Sequence, residues 1–326
     1  MNTITSLQKL VSQEIKNYSA QLNGSPIELY EPISYILLLG GKRMRPVLLL
    51  MAAEMFDGDL QKAIQPAIGI EVFHNFTLLH DDIMDKAPLR RNQATVHEKW
   101  NSNIAILSGD TMFVKSFQLM METETQYLKE VLNVFSQTAI EVCEGQQLDM
   151  NFETQSNVGI DDYLHMISLK TAVLLAGSLK IGAIISGAKN EDAQHLYEFG
   201  KNIGIAFQLQ DDILDVFGDA EKFGKQVGGD ILSNKKTFLL LKALELAKEK
   251  TKAELMSWLQ ANDYIPEDKI NAVKSIYAKL GVKEFAESKM NEFHLKAMQH
   301  FNALSVSKEK KDNLLQFAES LLVREI

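Results

Sequence analysis

Two stretches of this sequence set three aspartates in one spacing: Asp81-Asp82-Ile83-Met84-Asp85 and Asp211-Asp212-Ile213-Leu214-Asp215. On a helix a four-residue step turns roughly 400°, so Asp81 and Asp85 share a face about 6 Å apart along the axis. Like carboxylates this close repel, and the helix alone would be more stable without them. With 18 Asp in 326 residues, the pattern arises by chance about 0.05 times per chain, so two copies mark a shared purpose. Mostly apolar residues precede each cluster, so both emerge from a core, and a hard divalent cation with oxygen ligands offsets their charge best. Neither cluster supplies the Cys or several-His set that zinc favours, nor the glycine-bearing loop that calcium uses. Magnesium fits: it is held by one or two carboxylates together with substrate phosphate oxygens and water, which implies a polyphosphate substrate.

A diphosphate also needs fixed cations. Gly40-Gly41-Lys42-Arg43-Met44-Arg45-Pro46 is a glycine-introduced basic run, and Arg90-Arg91 follows the first aspartate cluster. Lys170 opens a Gly/Ala-rich stretch, and Lys225 and Lys235 follow the second cluster in a glycine-rich segment. Arginine forks suit phosphate oxygens with paired hydrogen bonds. In a chain of formal charge −9, cations beside acidic clusters read as a site rather than a general field. The same charge argues against a nucleic-acid binder working by bulk electrostatics. One cysteine, Cys143, excludes an internal disulfide framework.

The elements that must position these residues read as helices. The six prolines are Pro26, Pro32, Pro46, Pro66, Pro88 and Pro266, so none interrupts Leu89 to Ile265. Within that span apolar residues recur at three and four positions, as in Phe113, Phe117, Met120, Met121 and Leu128. No alternating β-branched run appears, so the fold class is all-α. No linker or low-complexity tract divides the chain, which reads as a single domain over residues 1–326 with ten or more helices. Its Lys-rich C-terminal region, from about Ala247, is expected to form a solvated outer layer. The apolar stretch Thr171 to Ala188 carries Lys180 at its centre, which disfavours a membrane span. The N-terminus lacks the apolar core and cleavage site of a secretory signal, and a cytoplasmic location is expected.

In order along the chain, GGKRMRP, Glu71-x-x-His74 leading into LLHDDIMD, the Arg90-Arg91 pair with TVH, Lys170-Thr171, FQLQDDILD and GKQVGGDILSNKKT resemble the trans-isoprenyl diphosphate synthases, the polyprenyl synthetase family. The resemblance spans about Gly40 to Thr237. It implies an all-α bundle around a deep central cavity, a homodimer, and head-to-tail condensation of isopentenyl diphosphate with an allylic diphosphate. By this resemblance Asp81, Asp82, Asp85, Asp211 and Asp215 hold three Mg²⁺ ions. Lys42, Arg45, His74 and Arg91 match the positions that bind isopentenyl diphosphate. Arg90, Lys170, Lys225 and Lys235 match those gripping the allylic diphosphate, and Thr171 and Gln208 match groups facing the developing carbocation. Asn92-Gln93-Ala94 departs from the family's usual Gly-x-Pro, and Phe238 and Leu239 follow Thr237 where the family usually has a proline.

Product length is expected to be set upstream of the first cluster. Phe76 lies five positions before Asp81 and Phe73 eight before, about 7.5 and 12 Å along a helix. A ring there blocks chain growth by steric exclusion. Bulky Phe76 beside small Thr77 resembles the geranylgeranyl arrangement, pointing to a C20 product with C15 second. Two rivals remain at this level. A class I terpene cyclase has no need for a second substrate's pocket at Lys42, Arg45 and Arg91, and its second metal motif is a mixed Asn/Ser/Glu set. A non-catalytic partner subunit tends to lose one aspartate cluster, whereas both are whole here.

Overall fold

The computed structural model describes residues 2–218 and 228–322, so Lys225 lies outside the described residues. The chain is all-α, and the described residues hold the ten or more helices expected and one short hairpin. The helices are α1 Ile4–Gln21, α2 Ile27–Leu38, α3 Met44–Met55, α4 Leu60–Met84, α5 Val96–Lys99, α6 Ser102–Met120, α7 Thr125–Thr154, α8 Ile160–Ile167, α9 Val173–Ile185, α10 Asn190–Phe217, α11 Gly229–Leu232, α12 Phe238–Leu246, α13 Glu249–Gln260, α14 Pro266–Leu280, α15 Val282–Ala303 and α16 Lys308–Leu322. Strands β1 Leu89–Arg90 and β2 Gln93–Ala94 form the hairpin. The residues group into two compact units, each discontinuous in sequence.

The first unit comprises Met1–Ser136, Gly177–Leu196 and Ser305–Leu315. Its centre is α4, packed against α3 and α6. From Ala63 to Phe73 α4 is buried nearly all round, as are Val47 to Ala53 of α3. Helices apolar on every side belong in a core. The Asp59 carboxylate accepts a hydrogen bond from Gln61 N at 2.9 Å and caps α4 at its start.

The second unit comprises Gln137–Ala176, Tyr197–Leu304 and Gln316–Ile326. Its core joins Tyr163, Ile167, Leu209, Ile213, Val216, Leu239, Val273, Ile276 and Val282. This corrects one expectation. The Lys-rich C-terminal region is no solvated layer, because its helices are amphipathic and bury Leu255, Val273, Tyr277, Ala286 and Phe301. Even Lys269 is fully buried, with Nζ 4.4 Å from the Tyr264 ring. Among the described residues, one continuous helical run, Ile160–Ile185, is long and apolar enough to cross a membrane. In that run 78% of the apolar window is buried inside the protein, which is the environment of a core helix. The Lys180 ammonium donates to Gln194 Oε1 at 2.8 Å.

Candidate active site

Helix α4 ends at Met84, so Asp81 and Asp82 occupy its last turn and Asp85 caps it, with Asp85 N donating to Asp81 O at 2.9 Å. That end is the negative pole of the helix dipole, where carboxylates are least welcome. One helical position is a 100° turn, so Asp82 faces away from Asp81 and Asp85. Its side chain is 3% exposed, against 21% for Asp81. Arg90 forks onto it, Nε lying 2.9 and 2.8 Å from the two oxygens and Nη2 2.7 Å from Oδ1. The same guanidinium is 4.0 Å from Asp81 Oδ2. Where the resemblance puts Asp82 on metal and Arg90 on diphosphate, the structure joins them to each other.

The hairpin aims Arg90. Arg91 and Asn92 form its two-residue turn, with φ of 52° and 61°, as a type I′ turn requires at both central positions. Asparagine tolerates this left-handed region better than other side chains, so Asn92 serves where the family usually has glycine. Tyr35 OH donates to Ala94 O and Thr95 Oγ1 to Ala87 O, each at 2.8 Å, tying the hairpin down.

Arg45, His74 and Arg91 come together in the same unit. Arg45 Nη1 lies 3.1 Å from His74 Nε2. Burial first, then the charges of Arg45, Arg91, Arg90 and Arg43, hold the imidazole well below its usual pKa. His74 is therefore neutral at pH 7 and accepts from Arg45. Burial lowers Arg45 itself to about 10, opposed by the Glu71 charge, so it stays cationic. Arg45 Nε is buried without a hydrogen-bond partner, as suits a pocket made for an anion. Lys42 is exposed on the neighbouring loop, its carbonyl accepting from Gln8 Nε2 at 2.9 Å. A consequence for stability follows from His74. The unfolded chain takes up its proton near pH 6.5 and the folded chain does not, so folding stability falls as pH drops below 6.5, by up to about 1.4 kcal/mol per unit. His74→Gln should remove that slope; denaturant titrations of both proteins between pH 7 and 5 check it.

Thr77, Phe76 and Phe73 lie four, five and eight positions before Asp81 on the same helix. Phe73 is fully buried. Phe76 is half-buried, with ring centroids 4.8 Å from His80 and 5.2 Å from Phe113. The Phe113 ring of α6, not singled out from the sequence as a site residue, thus backs Phe76. Its recurrence with Phe117 marked a core face only. Thr77 Oγ1 donates back to His74 O at 2.8 Å.

In the second unit α10 ends at Phe217, again placing three aspartates in its last turns. The middle one is again the buried one: Asp212 is 3% exposed, while Asp211 and Asp215 are half-buried. Tyr163 OH donates to Asp212 Oδ2, and Gln208 Nε2 donates to Oδ1 at 3.2 Å. Burial and then the Asp230 charge push the Asp212 carboxyl up to about 7. Thr171 Oγ1 donates to Gln208 Oε1 at 3.4 Å, so the two expected carbocation-facing groups are neighbours. Asp215 Oδ2 accepts from Asp230 N at 3.0 Å, and Lys235 is exposed beyond α11, its N–H on Asp230 O at 2.9 Å.

Lys170 and Thr171 lie in a π-helical turn, Ser168–Ala172, between α8 and α9. Such turns break the helical register and often mark functional sites. Gly145 of α7 makes room for it, since a Cβ there would stand 2.2 Å from Lys170 N. Lys170 Nζ donates to Asp149 Oδ2 at 2.6 Å. Asp149, Tyr163 and Asp230 were missed in the sequence. The available signals were the polar residues Gln146, Gln147 and Asp149 inside an otherwise helical run, and the place of Asp230 within GKQVGGDILSNKKT.

Among the described residues, no three acidic, His or Cys side chains stand close enough to form a metal cage on their own. Magnesium does not need one, since it takes one or two carboxylates and completes its shell with substrate oxygens and water. The oxygen-only donors Asp81, Asp85, Asp211 and Asp215 fit that demand.

Comparison with known proteins agrees along the whole chain. The polyprenyl synthetase family profile matches residues 26–280. A geranylgeranyl diphosphate synthase of Methanosarcina mazei is 42% identical over 243 residues, 71% of this chain and 75% of its own. A crystal structure of a geranylgeranyl pyrophosphate synthase is similar with a TM-score of 0.94 and 43% identity, covering 100% of both chains. A polyprenyl synthase of Caulobacter crescentus CB15, crystallised with calcium and isoprenyl diphosphate, is similar with a TM-score of 0.87 and 25% identity over 99% of this chain and 97% of its own.

Proposed function

The chain belongs to the polyprenyl synthetase family as a short-chain trans-isoprenyl diphosphate synthase, and we propose that it makes the C20 all-trans diphosphate, with C15 the alternative product. The reaction joins isopentenyl diphosphate head-to-tail to an allylic diphosphate and releases diphosphate. The family's use of divalent metal supports Mg²⁺ here, held by Asp81, Asp85, Asp211 and Asp215, with three ions per site. Bound magnesium would supply charge neutralisation to the departing diphosphate. Arg90, Lys170, Lys225 and Lys235 would grip the allylic diphosphate, Arg90 being oriented by its fork on Asp82. Arg45, His74, Arg91 and Lys42 would hold isopentenyl diphosphate. The oxygens of Thr171 and Gln208 would face the allylic carbon as positive charge develops there, a preorganised electrostatic role. Water must be kept out, or the cation is quenched to an alcohol.

The observation that carries the product length is Phe76, stacked on Phe113 one turn above Asp81. Purified protein with Mg²⁺, isopentenyl diphosphate and farnesyl diphosphate should yield a C20 diphosphate by mass. A cyclic hydrocarbon from the allylic substrate alone would favour a cyclase, and no turnover a non-catalytic subunit.

A homodimer in the cytoplasm is part of the same proposal. Exposed Ile106, Leu107 and Val114 on α6 flank an apolar groove of about 530 Å³ lined by Pro26, Leu29 and Ile104. An apolar patch of this kind suits a second copy of the chain. Leu107→Glu with Val114→Glu should shift the sedimentation coefficient from dimer to monomer; a wild-type protein that already sediments as a monomer would contradict the dimer.

A further inference from the structure

Arg43 lies within the basic run, yet its guanidinium is engaged by Glu71 and a backbone carbonyl. It is 6% exposed, and its backbone is left-handed, with φ 50° and ψ 38°. A non-glycine residue persists in that region only where its surroundings hold it. Nη1 donates to Glu71 Oε1 at 2.6 Å and Nη2 to Leu37 O at 2.5 Å. Glu71 is 2% exposed, and Asn75 Nδ2 pins it, donating to its carboxylate at 3.1 Å and to its carbonyl at 2.8 Å. The guanidinium therefore links the last turn of α2 to the middle of α4, from the residue just before α3. No side chain caps α3 at that position.

The neighbouring contacts give this brace a purpose. Arg45 meets His74, so Arg43–Glu71 and Arg45–His74 are two successive rungs between the start of α3 and one face of α4. On the other side, Gly40 and Gly41 take φ of 84° and 133°. Arg91 Nη1 donates to Gly40 O, and a Cβ on Gly41 would stand 2.8 Å from Arg91 Nη2. Lys42 sits between the two anchors.

We propose that Arg43, paired with Glu71, is a positioning residue that sets Lys42 and Arg45 for the diphosphate of the non-allylic substrate. This rests on the functional reading above. The pair is buried, so it acts through its neighbours. It fixes the register of α3 on α4, and with it the second rung and the loop.

The test separates positioning from mere stability. Arg43→Met with Glu71→Leu removes both buried charges together and spares the core an unpaired ion. Kinetics with isopentenyl and farnesyl diphosphates should show KM for isopentenyl diphosphate raised about tenfold, with kcat and the allylic KM within about threefold of wild type. Trypsin cleavage after Lys42, followed by the mass of the 1–42 fragment, should speed up about tenfold while the thermal midpoint holds. If this variant does not fold, Arg43→Lys, which keeps the charge and loses the fork, should show the same KM selectivity. A folded variant with wild-type KM for isopentenyl diphosphate and wild-type cleavage at Lys42 overturns the proposal and leaves the synthase reading intact. A wild-type protein that elongates nothing overturns the synthase reading, and the cleavage rate then still decides whether Arg43 anchors the loop.

Discussion

Asp81→Asn lowers turnover by at least about a thousandfold, roughly 4 kcal/mol of transition-state stabilisation, while the folded protein becomes no less stable. The two effects oppose each other for one reason. Asp81 occupies the last turn of α4, where a negative charge opposes the helix dipole and crowds its neighbours. Removing the charge relieves the fold by about 0.3–1 kcal/mol and, on the proposed assignment, deprives the site of a metal ligand. Asp215→Asn should behave alike at the end of α10. Asp82→Asn should do the reverse, costing stability first, because Arg90 forks onto a buried carboxylate there. Steady-state turnover read beside thermal melts checks all three. A loss of stability with wild-type turnover in Asp81→Asn contradicts the assignment.

Phe76→Ala should move the product from C20 to C25 and longer. The ring is half-buried against Phe113 and His80, so its removal opens space where further isoprene units would otherwise clash. Phe113 remains as a second stop, so the single variant should spread over two or three lengths, and the double change with Phe113→Ala should shift the whole distribution upward. The stability cost should stay below the roughly 3–5 kcal/mol of a fully buried Phe→Ala, since Phe76 keeps some exposure. Chromatography of the dephosphorylated products against chain-length standards decides, and an unchanged C20 product refutes the role. Phe73→Ala should instead destabilise first, because Phe73 has no exposure and packs edge-on to Phe135.

Much of this site was legible because its signals are local. Two aspartate triplets at helical spacing, each after an apolar run, need only the period of the helix and the rarity of the pattern. Which aspartate does what is less legible. The sequence offers Asp81, Asp82 and Asp85 as equals, and only long-range partners separate them: Arg90 for Asp82, and Tyr163 with Gln208 for Asp212. The helical angle carried part of the answer, since the middle residue of each triplet lies off the shared face. The Asp149–Lys170 pair and the Arg43–Glu71 brace could not be read, for they join residues 21 and 28 positions apart. Asn92 in the hairpin is an intermediate case. Its tolerance for positive φ is a local property, yet its use depends on two-residue strands too short to show alternation. The C-terminal region misled for the opposite reason: its lysines dominate the composition, while a modest apolar stripe on each helix suffices to bury it.

The central proposal is that the aspartate rows hold divalent metal for a diphosphate substrate. Crystals grown with Mn²⁺ and a non-hydrolysable thiolo analogue of an allylic diphosphate test it directly by anomalous scattering. Manganese should be found on Asp81 and Asp85 and on Asp211 and Asp215, with the analogue's phosphate oxygens in its shell. Metal on neither row, or a diphosphate bound away from both, would contradict it.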